Sequence, residues 1–342
     1  MRSDLHRYAA ANARVRVLLG TLLGRRGLEA LCGYPTTAAV LDALSRTAYG
    51  RALSGAHPPE RALSRRLIEV AQALLPLLEM PERALIRRYL LHHEVTNLKL
   101  VIRCVHRQLS PSEIEPRLVS LAGIATIDPV ALAAAGDLHR LADQLRGTAY
   151  EHAVRGALHR VDAAGPFAIE VALDLDFYDT LWAAAARLRP SDAACARRVL
   201  GILFDIVNLA WIATYRDALG LAPEEILNYT LREGRWLTLP LRRALAEERS
   251  GAWSAILART PYAALLADVS QRGFDLVAVR LWRVLAGEVQ RLLTGYPFHI
   301  GVPLGFLLAQ EIELRDLRVV LTAQHLGMPA GDVLEQLASV RH

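Results

Sequence analysis

Apolar positions recur at three- and four-residue spacing along most of the chain, and no stretch sustains period-two alternation, so the pattern predicts helices and no sheet. The most informative stretch is Glu94-Val95-Thr96-Asn97-Leu98. At about 100° per residue, Glu94 and Asn97 share a helix face with Leu90, Leu98, Val101 and Val105. Arg88, His92, Lys99, Arg103 and His106 fall on the opposite face. An acid and an amide thus sit inside an apolar stripe, where burial is costly unless both are hydrogen-bonded. The arrangement returns as Asp205-Ile206-Val207-Asn208-Leu209 and, with Asp for Asn, as Glu313-Leu314-Arg315-Asp316-Leu317. The intervals from Asn97 to Asn208 to Asp316 are 111 and 108 residues. A near-constant interval implies one supersecondary unit used three times.

A second landmark recurs in the same order. Thr47-Ala48-Tyr49, Thr148-Ala149-Tyr150 and Thr260-Pro261-Tyr262 each carry a leucine five residues before the tyrosine (Leu44, Leu145 and Leu257). They precede the polar positions by 48, 58 and 54 residues. Such a tyrosine is expected to pack its ring at a helix end with the hydroxyl at the boundary. Gly and Pro punctuation then places the elements. The first third has helices at 5–23, 28–32 and 38–44, the last capped by Thr36 or Thr37. A helix opened by Pro58-Pro59-Glu60 and ended by Pro76 follows, then one long helix from Met80-Pro81 to Leu109-Ser110-Pro111. The second third offers 138–145, 168–187 and a helix capped by Ser191. The last third offers 253–258, 274–293, a Gly/Pro turn and a helix closed by Gly327-Met328-Pro329. The expected fold is all-α, in three similar helical repeats at 1–110, 111–227 and 228–342.

Composition agrees: the chain is rich in Ala, Leu and Arg, 53% hydrophobic yet only 6% aromatic. Its net charge of +5 divides unevenly, +9, −6 and +2 over the three thirds, which suggests a surface meeting different partners. Nucleic acid is disfavoured, because no Arg cluster is interleaved with aromatics. Lys99 is the only lysine, a bias of composition. Cys32, Cys104 and Cys195 form no CxxC and, with no apolar signal in Met1–Arg7, suit a reducing compartment. Two segments imitate a membrane span. Residues 199–215 hold an acid at their centre, and 292–310 are broken by Gly295, Pro297, Gly301, Pro303 and Gly305. Both read as buried core helices.

The motifs of common chemistries are missing. No G-x-x-x-x-G-K-[ST] cradle for ATP or GTP occurs, and Gly20-Thr21-Leu22-Leu23-Gly24 lacks the lysine. His93-Glu94-Val95-Thr96-Asn97 begins like a zinc-binding H-E-x-x-H, but Asn97 replaces the second histidine. Ser254 has neither flanking glycine nor an evident base. Glu170, Asp174, Asp176 and Asp179 form an acidic group in which Glu170 and Asp174 stack at i,i+4. Without Glu-x-x-His pairs elsewhere, a solvated face with an inward pair outweighs a di-metal enzyme. No catalytic residue, cofactor or metal is assigned.

At this point the residues resemble the C subunit of the V/A-type rotary ATPases and ATP synthases, the counterpart of the d subunit in the eukaryotic vacuolar enzyme. The resemblance rests on Tyr8 with Asn12-Ala13-Arg14-Val15-Arg16, Thr47-Ala48-Tyr49, and Glu94-x-x-Asn97-Leu98-Lys99. It continues through Ile169-Glu170-x-Ala172-x-Asp174, Asp205-x-x-Asn208-Leu209, Ala222-Pro223-Glu224-Glu225-Ile226 with Gly234, and Glu311-Ile312-Glu313-Leu314-Arg315. Each motif is weak alone, and the ordered set spans nearly the whole chain. The resemblance implies three helical domains around a pseudo-threefold axis, forming a funnel. It implies a non-catalytic component on the cytoplasmic face of the membrane, peripheral and one copy per complex, between the central shaft (the D and F subunits) and the rotor ring. Asn12, Arg14, Tyr49, Glu94, Asn97, Tyr150, Glu170, Asp205, Asn208, Tyr262, Glu313 and Asp316 are then structural marks of the repeat. The rival reading is a free-standing helical-repeat adaptor binding cytosolic proteins through a concave face.

Overall fold

The computed structural model describes residues 4–53, 59–161, 165–248, 253–263 and 274–339. Among them there is no strand, and the fold is all-α. Pro58, expected to help open a helix, lies outside the described residues. The chain divides into two units, one made of Arg51–Ala184 and the other of Met1–Gly50 with Ala185–His342.

In the first of these, Pro59–Leu74, Glu82–Leu90, His92–His106, Pro129–Ala133, Leu138–Gln144 and Glu151–Leu158 are helical, followed by Phe167–Ala186 at its end. The helix bearing Glu94, His92–His106, packs against Pro129–Ala133 and Leu138–Gln144. Its apolar stripe is fully buried, with Leu98, Val101 and Ile102 at 0% exposure. The single helix expected over 80–109 is broken at Leu91. There the Leu91 amide bonds the Arg88 carbonyl, and His92 Nδ1 lies 2.8 Å from the Tyr89 carbonyl. An imidazole competing for a backbone group does what Gly or Pro would otherwise do, and periodicity cannot register it.

The other unit centres on three long helices, Pro190–Ala213, Phe274–Thr294 and Gly301–Leu326, which pack on one another. The N-terminal helices Asp4–Leu19 and Gly24–Cys32 lie against Gly301–Leu326. The first helix stops at Leu19 rather than 23, and the second begins at Gly24 rather than 28. Gly24 has φ +61°, a left-handed turn that lets the chain reverse earlier than its apolar pattern suggests. Thr36 is the cap of Thr37–Ser45, accepting from the Ala39 amide at 3.2 Å. Arg189, not Ser191, stands at the start of Pro190–Ala213. Pro303 falls in the first turn of Gly301–Leu326, where its missing N–H costs nothing, so the Gly/Pro turn ends at Ile300. Gly327, at φ +66°, closes that helix.

The two segments that imitate membrane spans are core. Phe204 and Phe306 are 1% and 0% exposed, and no helix among the described residues is long and apolar enough to cross a membrane. Phe204→Ala should therefore leave a cavity and lower unfolding free energy by about 3–5 kcal/mol, as read from denaturant unfolding.

Candidate functional site: buried carboxylates held by tyrosines and backbone amides

The three carboxylates expected inside apolar stripes are buried: Glu94 is 1% exposed, Asp205 0% and Glu313 2%. Each accepts from a tyrosine hydroxyl and from backbone amides of a distant segment. Tyr150 OH reaches Glu94 at 3.2 Å, and the Thr126 and Ile127 amides with the Thr126 hydroxyl complete its shell at 2.6–3.2 Å. Tyr262 OH reaches Asp205 at 2.6 Å, with the amides of Arg235, Trp236 and Leu237 at 2.8–3.2 Å. Tyr49 OH reaches Glu313 at 2.5 Å, with the Gly24 amide at 2.8 Å.

The hydroxyls of Tyr49, Tyr150 and Tyr262 are thus not at a boundary. All three residues are 1–2% exposed and their hydroxyls serve a charge. The pairing also runs differently from the order of the landmarks. Tyr150 and Tyr262 bond the acid that precedes them, by 56 residues for Glu94 and 57 for Asp205. Glu313 is met by Tyr49, 264 positions upstream. Sequence order alone groups each tyrosine with the acid that follows it, because spacing does not tell a forward pair from a backward one.

The amide positions make a second set of ties. Asn97 Nδ2 donates to the Val119 carbonyl at 2.8 Å, and its Oδ1 accepts from the Val119 amide at 2.9 Å. Asn208 repeats this on Leu231 at 3.2 and 2.7 Å. A side-chain amide has one donor and one acceptor face, so it matches both backbone groups of a single residue. Asp316 meets donors only: the amides of Ala338 and Ser339, each at 2.8 Å, the Ser339 hydroxyl at 2.6 Å, and Arg315 Nη1 at 2.8 Å. An acceptor-only group belongs there, which explains Asp in place of Asn.

Electrostatics follow from burial. Desolvation pushes the Asp205 and Glu313 carboxyls above the usual range, while their tyrosine and amide donors pull them back. The Tyr150 and Tyr262 phenols are raised by burial and by the neighbouring carboxylate. Only glycine fits beside Asp205 at Gly234, where a Cβ would lie 2.3 Å from Oδ1.

Glu170 stands apart from these sites. It pairs with Arg103, whose Nε lies 2.6 Å away, while Lys99 holds Asp174 at 2.6 Å. Arg88 meets Asp176 and Thr180. The acidic group thus faces basic residues of Glu82–Leu90 and His92–His106 in antiparallel order, with Asp179 exposed. Asn12 is half-buried with no partner for its Oδ1 among the described residues, and Arg14 is exposed. Neither joins the carboxylate sites. Sequence reading missed Thr126, which has no motif around it, and Asp192. The latter, 1% exposed, accepts from Tyr8 OH at 2.8 Å and the Ile300 amide at 3.0 Å, a fourth site of the same kind. Tyr8 was legible as part of the family resemblance, but without a partner.

Two outcomes check this geometry. Gly234→Ala should cost about 1–3 kcal/mol in unfolding free energy, since the loop must leave Asp205 to admit the methyl group. The phenols of Tyr150 and Tyr262 ionise later in the fold than in the unfolded chain. Their contribution to stability is therefore whole below about pH 10 and declines as pH rises above it. Absorbance titration should show two tyrosines ionising only with unfolding, and a Tyr150→Phe/Tyr262→Phe chain should lose that late fraction.

Residues 11–336 match the sequence profile of the family described as ATP synthase (C/AC39) subunit. The A-type ATP synthase C subunit of Methanothermobacter thermautotrophicus is 27% identical, over 98% of this chain and 89% of that protein. Its namesake from Pyrococcus horikoshii is 24% identical over 92% and 85% of the two chains. That from Methanocaldococcus jannaschii is 23% identical over 98% and 88%. With a profile match over nearly its full length, the chain belongs to the ATP synthase (C/AC39) subunit family.

Proposed function

We propose that the chain is the non-catalytic central-stalk component of a rotary V/A-type ATPase or ATP synthase. It couples the central shaft, made of the D and F subunits, to the membrane rotor ring, as one peripheral copy on the cytoplasmic face. Family membership supports its place in such a complex. The sequence has no phosphate cradle, which suits a part that transmits rotation while other subunits handle ATP.

The observation that carries the mechanical reading is the cyclic order of the tyrosine bonds. With repeats drawn at 1–110, 111–227 and 228–342, the acid of each is held by the tyrosine of the next. Glu94 takes Tyr150, Asp205 takes Tyr262, and Glu313 returns to Tyr49. Each tie holds a buried acid to a segment far from it in the chain, and a part that passes torque needs stiffness more than chemistry. Buried polar groups fix registry in some proteins, and that is the role assigned here to Glu94/Asn97, Asp205/Asn208 and Glu313/Asp316.

The direct test is reconstitution. The chain should co-purify with rotor ring and shaft, whereas partners drawn only from outside the ATPase would favour the adaptor reading. Asn97→Leu with Asn208→Leu should leave the chain helical by circular dichroism and ATP hydrolysis intact, while ion pumping per ATP falls. Unchanged coupling in that variant would count against the role given to the polar pairs.

A further inference from the structure

The three carboxylates are not equally satisfied. A carboxylate has about four acceptor sites. Glu94 and Asp205 each meet four donor groups, whereas among the described residues Glu313 meets three, the Tyr49 hydroxyl and the backbone amides of Gly24 and Leu23. Glu313 forms no ion pair among the described residues. It also lines a cavity of about 50 Å³ that is open on one side. The walls are apolar, from Leu19, Leu22, Val289, Leu293 and Ile312, and Gln290 adds an acceptor. At roughly 10–15 Å³ per water-sized centre, this volume takes about three to five such groups. That is the size of a four-carbon stem and too small for a nucleotide.

The geometry points to a site for an alkylammonium group, filled in the assembled complex by a lysine side chain of a partner protein. Its stem lies along the leucines and its ammonium donates to the open side of Glu313. A cation there meets a carboxylate already removed from water, so the desolvation of one partner is already part of the fold. The chain's only lysine, Lys99, is held by Asp174 at 2.6 Å, so a second copy is not the source. The choice of a partner's side chain rests on the reading that this protein works inside an assembly. The chemistry of the cavity does not.

Two arms separate these. In the first, n-butylammonium chloride is titrated into the full-length chain, with n-butanol as the neutral control. Saturable binding at least tenfold tighter than butanol is expected. Ala309→Leu, which fills the cavity without replacing Glu313 or its donors, should weaken it at least tenfold. Gln290→Leu, at a half-buried position, should weaken it several-fold and serves if Ala309→Leu does not fold. Equal binding of butanol, or indifference to both substitutions, would overturn the site. In the second arm, an ATP synthase complex stripped of this component is titrated with the parent chain and Ala309→Leu. The substitution should lower affinity at least tenfold. Equal affinity would overturn the partner lysine as occupant. Failure of the parent chain itself to rebind would overturn the central-stalk reading and the partner source with it, while the butylammonium result would still decide the cavity's chemistry.

Discussion

A charge inside an apolar helix face is tolerated only where donors converge on it, and the rest of this fold is arranged to supply them. Glu94, Asp205 and Glu313 cannot be satisfied by their own helices, whose amides are already spent. Each recruits a tyrosine and a backbone segment from elsewhere in the chain. The loops at 119–127 and 231–237 are thereby fixed to helices 22–33 residues before them, and the N-terminal segment from Gly24 to Tyr49 is fixed to the Glu313 helix. Long-range order here is set by polar chemistry, with hydrophobic burial providing the medium that makes each bond count.

The sites divide the work. The acid collects donors and places a tyrosine; the amide or Asp316, three residues on, reads a second strand of backbone. Two grips one helical turn apart define both the position and the direction of the segment they hold. Asn suits a single residue offering both N–H and C=O, and Asp316 suits a segment offering two amides and a hydroxyl. Ion pairs such as Arg103–Glu170, with its acid buried, and Lys99–Asp174, with both partners half-buried, add further ties beside these sites.

Much of this was legible in the sequence. Helical class, the three polar pairs and the tyrosine landmarks follow from periodicity and repetition, and burial of Asp205 and Asn208 follows from a helix apolar on nearly every side. What was not legible is partnership. Spacing marks Tyr49, Tyr150 and Tyr262 as equivalent, yet gives no direction to their bonds, so the hydroxyls were placed at a boundary they do not occupy. The break at Leu91 escaped for a related reason, since it depends on one histidine nitrogen rather than on a residue that breaks helices by type. Thr126 and Asp192 act through their positions in three dimensions and carry no pattern along the chain.

If these ties hold the scaffold rigid, the amides that end on the carboxylates must open only when everything does. Native-state hydrogen exchange tests this most directly. The account predicts that the amides of Gly24, Thr126 and Trp236, although in loops or at a helix start, exchange with the free energy of global unfolding. Exchange through local opening several kcal/mol cheaper than that would mean the segments come and go from the carboxylates, and the stiff-scaffold account would be contradicted.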